Sequence, residues 1–170
     1  MDHPGIMEAG AKMAEGDFVG AMEAFDAIRT SEPGNHEAHH GWAEAAFMRL
    51  TVDMEEEVPA REIMKAYKEA QKLDEDNLEY VASFAGFCLD CGRLPMAVKE
   101  YERLQTMAEL QGLDVNDMLY EAAARLAEAV DRIGGRSTPM GQKLLRTAVS
   151  WSVGGLGFSV DEARSLLSED

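Results

Sequence analysis

His36-Glu37-Ala38-His39-His40 has the H-E-x-x-H pattern of zinc-dependent hydrolases. On a helix its outer imidazoles, four residues apart, share a face and can bind one Zn²⁺, with the Glu between them as general base. Glu62 is one acidic candidate downstream for a third ligand. Three fixed positions in five recur easily by chance, however, and nothing else around the string suits a metallopeptidase. The plainer reading, a solvated helix start, is favoured: the metal-binding alternative rests on His36 and His40, and the chain is expected to need no cofactor. Cys88-Leu89-Asp90-Cys91 is a C-x-x-C pair, but it falls at the end of an expected helix, where the dipole disfavours a thiolate, and no second pair completes a zinc site. Cys88 is expected as a small buried apolar residue. Gly154-Gly155-Leu156-Gly157 follows no strand and precedes no Gly-Lys, so it is expected to end a helix rather than cradle phosphate.

Helices must position these residues. Pro4, Pro59, Pro95 and Pro139 each stand just ahead of an apolar run of 3.6-residue period, where a missing N–H is harmless. The runs read Phe18, Ala21, Met22, Phe25, Ile28, then Ile63, Ala66, Tyr67, Ala70, Leu73, then Leu94, Ala97, Val98, Tyr101, Leu104. Further helical stretches are expected at about 36–50, 78–91, 115–133, 139–152 and 160–168, the last opened by Ser159 with Glu162 three residues on, a capping-box pattern. The spacing predicts eight or nine helices and no strand.

The 170 residues suit one body with an ample core. Sixteen Lys and Arg against 32 Asp and Glu leave a formal charge of −16, which repels phosphate backbones and disfavours nucleic acid as a partner. The Met-Asp-His-Pro-Gly start lacks a signal-peptide pattern, and no stretch reaches the roughly 18 uninterrupted apolar residues of a membrane span. Two cysteines are too few for a disulfide scaffold, so no membrane insertion and a cytoplasmic, reducing location are expected.

Internal repetition sharpens the helical reading. Ala21, Ile63 and Ala97 are separated by 42 and 34 residues, and so are Phe25, Tyr67 and Tyr101. The period is 34, interrupted once by eight residues, which Thr51 to Val58 supply as an acidic turn containing Glu55-Glu56-Glu57. Gly92-Arg93-Leu94 repeats the Gly-x-large-apolar turn of Gly16-Asp17-Phe18. Small residues at Ala9, Ala43, Ala85, Ala21 and Ala97 let helices approach, while Phe25, Tyr67 and Tyr101 fill the space between successive hairpins. With Gly16-Asp17-Phe18, Ala21, Phe25 and Pro33 in order, residues 2–111 resemble the tetratricopeptide repeat (TPR) family. Glu75 and Glu109 stand where Pro33 is not repeated.

The resemblance implies an all-α fold, a superhelical solenoid of about three TPR-like hairpins (about 2–35, 36–77 and 78–111), with 112–170 as a helical C-terminal extension that covers the exposed end. It also implies a ligand groove along the first helix of each hairpin: His3, Ile6, Gly10 and Met13, then Glu37, His40, Glu44, Phe47 and Met48, then Glu79, Ala82, Gly86, Leu89 and Asp90. The carboxylate clamp of some relatives needs Lys, Asn and Arg there, whereas Ile6, Gly10, Gly41, Glu79 and Ser83 stand instead. Apolar patches beside carboxylates suit a basic amphipathic segment. The function expected is a non-enzymatic protein-interaction module, an adaptor, scaffold or assembly factor that binds a peptide or helix. The alternatives are a zinc-dependent hydrolase using His36, Glu37 and His40, and a self-associating scaffold in which the C-terminal helices fill another copy's groove.

Overall fold

The computed structural model describes residues 2–156, and the side chains of residues 2–152. They form eight α-helices, one 3-10 turn and no strand: α1 (Pro4–Ala14), α2 (Phe18–Ser31), α3 (His36–Thr51), α4 (Ala60–Leu73), α5 (Leu78–Asp90), α6 (Leu94–Gln111), α7 (Asn116–Arg132), the 3-10 turn Gly135–Ser137 and α8 (Pro139–Leu156). The helix expected at 160–168 lies outside the described residues. So does Gly157, and α8 runs through Gly154 and Gly155 rather than stopping ahead of them. No described helix is long and apolar enough to cross a membrane.

Local chemistry explains where the helices start. Pro4 and Pro95 sit in first turns, while Pro59 is itself an N-cap without a side-chain hydrogen bond. Side-chain caps open α2, α3 and α5. Asp17 Oδ1 accepts from the Gly20 N–H at 2.9 Å, Asn35 Oδ1 from Ala38 at 3.1 Å, and Asn77 Oδ1 from Tyr80 at 3.3 Å. The repeated turns need Gly16 and Gly92, which adopt φ +79° and +71°, a left-handed conformation open to glycine at little steric expense. The eight-residue excess falls in the α3–α4 loop at 52–59, where Arg49 pairs with Glu57 at 2.8 Å.

The chain divides into two compact units, Met1–Phe84 and Ala85–Asp170, with the division inside α5. In the first unit α1 packs on α2, α2 on α3 and α3 on α4. Its core holds the expected Ala9, Ala21, Phe25, Ile28, Ala43, Ile63, Tyr67 and Ala70, together with Trp42, Tyr80 and Phe84. Phe25 lies so close to Gly41 of the next hairpin that a methyl group there would stand 2.3 Å from the ring. Leu73, counted in the apolar run of α4, is exposed at the helix end. In the second unit Leu94, Ala97, Tyr101 and Leu104 of α6 are buried, as are Leu119, Leu126 and Val130 of α7 and Leu144, Ala148 and Trp151 of α8. The Tyr101 and Trp151 rings lie 5.2 Å apart at a tilt of 59°.

Candidate functional site

One face of α3 carries most of the chemistry of the first unit. His36 and His40 share it, as four-residue spacing requires. Both turn to Tyr80 of α5. His36 Nδ1 is hydrogen-bonded to the Tyr80 hydroxyl at 2.7 Å, and the His40 ring stacks on the Tyr80 ring with centroids 4.3 Å apart. His40 also meets the Tyr67 ring edge-on at 5.9 Å. Tyr67 donates its hydroxyl proton to Glu44 Oε1 at 2.7 Å, and Gln71 Nε2 donates to the Tyr80 carbonyl at 3.4 Å. The result is an aromatic and imidazole knot linking α3, α4 and α5.

Burial governs the electrostatics. The His40 side chain is only 13% exposed, and its Nδ1 is buried with no hydrogen-bond partner. Its pKa is depressed to about 4, chiefly because burial penalises the imidazolium; His36 adds a smaller repulsion, and Glu79 acts in the opposite direction. Burial also pushes the Tyr80 hydroxyl well above its usual range, helped by the negative fields of Glu37, Asp74 and Glu79. The fields of those three carboxylates therefore all act on one hydroxyl, and Asp74 Oδ2 lies 3.9 Å from His36 Nδ1. Phe47 and Met48, further along α3, are half-buried, as are Ile6 and Met13 of α1.

The two imidazoles of the H-E-x-x-H string face Tyr80, and Glu37 is exposed. Among the described residues no group of three His, Cys, Asp or Glu side chains could hold a metal ion. Glu62, named as a possible third ligand, pairs with Lys65 on α4 at 3.3 Å. Cys88 is buried, as its place in the repeat required, and the pKa of the Cys91 thiol is raised first by burial and then by Asp90, which disfavours its thiolate.

The other groove candidates differ in what they leave free. His3 is an N-cap: its Nδ1 accepts from the Gly5 and Ile6 N–H groups at 3.1 and 3.3 Å, and its Nε2 meets Glu32 at 3.1 Å. Gly10, Glu37 and Glu79 are exposed, and Ala82 is half-buried. In the second unit Gly86 is half-buried, Leu89 is 4% exposed and leaves a ligand no apolar face, and Asp90 accepts a hydrogen bond from Arg125 of α7. Sequence reasoning missed Tyr80 and Asp74. Tyr80 sits four residues before the buried Phe84 on α5, a spacing that signals core packing and nothing of the imidazoles it meets.

Helical hairpins of this spacing, without strands among the described residues, define a TPR-like helical fold of the solenoid class. The crystal structure of MamA has a similar fold, with a TM-score of 0.56 and 16% identity over 98% of each chain. No protein-family model matches the chain, and no curated protein matches it.

Proposed function

We propose that the chain is a non-enzymatic protein-interaction module, an adaptor or scaffold, that takes a basic amphipathic segment on the face formed by α1, α3 and the start of α5. The observation that carries this reading is that exposed Glu37 and Glu79, with Asp74 beside His36, put negative field on Tyr80, on a helix that also carries the half-buried Phe47 and Met48. Such a face offers carboxylates to steer a cation and apolar side chains to hold the segment after encounter. The TPR-like fold and its likeness to MamA fit an interaction role, although a fold does not by itself dictate function. Glu44 is a poorer ligand group than its sequence position suggests, because Tyr67 already occupies one of its oxygens.

The test uses the exposed carboxylates. Wild-type chain and a Glu37→Lys/Glu79→Lys variant serve as baits, captured proteins are identified by mass spectrometry, and the affinity of the main one is measured for both chains and for Phe47→Ala. The charge reversals should slow association and flatten the salt dependence, whereas Phe47→Ala should speed dissociation. A partner retained with unchanged affinity by both variants would place binding elsewhere on the molecule.

A further inference from the structure

The first unit carries a second surface of opposite sign. Lys65, Lys68 and Lys72 recur along α4 at three- and four-residue steps, so they form one stripe. Across from them stands Arg29 of α2, whose guanidinium lies 3.9 Å over the ring of Trp42. Between stripe and stack lies an open cavity of about 500 Å³ lined by these five residues together with His39, Ala66 and two carboxylates, Glu62 and Glu69. That volume is in the usual range of about 300–1,000 Å³ for ligand sites. Four of the chain's sixteen Lys and Arg thus meet in one groove, against two carboxylates, on a chain that carries −16.

The groove is separate from the acidic face. Trp42 follows His40 by two residues, roughly 200° around the helix at 100° per residue, so the two point to opposite sides of α3. Glu62 is occupied by Lys65 at 3.3 Å, and Arg29 is paired with Asp26 at 2.7 Å. Lys68 and Lys72 are exposed and make no ion pair among the described residues; Lys68 only overhangs the Phe84 ring at 5.9 Å.

We propose that this groove docks a short acidic segment of a partner protein, with its carboxylates on Lys68 and Lys72. The choice of occupant follows from charge and length. From Lys65 to Lys72 the stripe spans about 10 Å of helix, the reach of roughly three residues of extended chain. Attraction confined to that patch acts within a Debye length of about 8 Å, while the surrounding excess of carboxylate repels any long polyanion. A short segment with a few carboxylates satisfies both conditions; nucleic acid does not.

The probe is a short fluorescein-labelled peptide of alternating Glu and Leu, followed by fluorescence anisotropy, with a Lys-for-Glu peptide as control. Wild-type chain should bind the acidic peptide. Lys68→Glu/Lys72→Glu, two exposed positions whose exchange should leave the circular dichroism unchanged, should weaken it by about tenfold or more. Glu37→Lys/Glu79→Lys, on the other side of α3, should leave it no weaker, which keeps this test distinct from that of the acidic face. Equal binding by the Lys68→Glu/Lys72→Glu variant overturns the proposal. Complete displacement of the peptide by inorganic polyphosphate at matched charge overturns it in favour of a general anion site. A loss of self-association by that variant in sedimentation, with the peptide breaking the wild-type assembly, overturns it in favour of a second copy of this chain.

Discussion

His40 is surrounded by groups that keep it neutral. Tyr67 of α4 and Tyr80 of α5 cover its ring, Glu44 lies 4.0 Å from Nε2 but accepts from Tyr67, and Glu79 and His36 contribute opposing fields. With a folded pKa of about 4 against 6.5 in the unfolded chain, the unfolded state binds the extra proton between those values. Stability is therefore full above pH 6.5 and declines as pH falls toward 4, by roughly 3 kcal/mol in total. Urea unfolding of wild type and His40→Phe at pH 7.5 and pH 4.5 measures this directly. The variant, which keeps a ring on Tyr80, should lose less stability between the two pH values; an equal loss would mean that the imidazole contributes nothing to the slope.

Between elements, the contact of Phe25 on α2 with Gly41 on α3 sets how closely the first two hairpins approach. Phe25→Ala should lower unfolding free energy by about 3–5 kcal/mol by opening a cavity. Gly41→Ala has the opposite defect. Its methyl group would meet the ring at 2.3 Å, and overpacking of this kind typically destabilises by about 1–3 kcal/mol. Combined with Phe25→Leu, Gly41→Ala should destabilise less than it does alone, because the smaller side chain leaves room. Chemical denaturation of wild type, Phe25→Leu, Gly41→Ala and the double variant decides the point: strictly additive losses would show that the two residues do not meet.

At the scale of the whole molecule, 32 Asp and Glu against 16 Lys and Arg make self-repulsion a standing opponent of the compact state. Raising ionic strength from about 0.01 to 0.15 M shortens the Debye length from roughly 30 to 8 Å. At pH 7.5, where His40 is neutral in both states, the melting temperature should rise over this range. A fall would show that the ion pairs, such as Arg49–Glu57 and Asp90–Arg125, outweigh the general repulsion.

The helices were legible in the residue order because their causes are local: Pro at first turns, Gly16 and Gly92 at positive φ, and apolar residues at 3.6-residue spacing. The hairpin arrangement was legible too, since Phe25, Tyr67 and Tyr101 recur with the repeat and all three are buried. Side-chain partners across hairpins were not. Nothing in H-E-x-x-H says that its two imidazoles turn to a tyrosine 44 and 40 residues on, because that choice depends on how α5 seats against α3. Leu89 and Glu44 were assigned to a ligand by position, but packing buried the first and a hydroxyl on α4 took the second. The basic groove was equally hidden. Lys65, Lys68 and Lys72 drew no reading from the residue order, and only the approach of α2, bringing Arg29 onto Trp42, gave that face a wall. Periodicity fixes which side of each helix is buried, whereas the identity of a contact belongs to the three-dimensional seating of one helix on another.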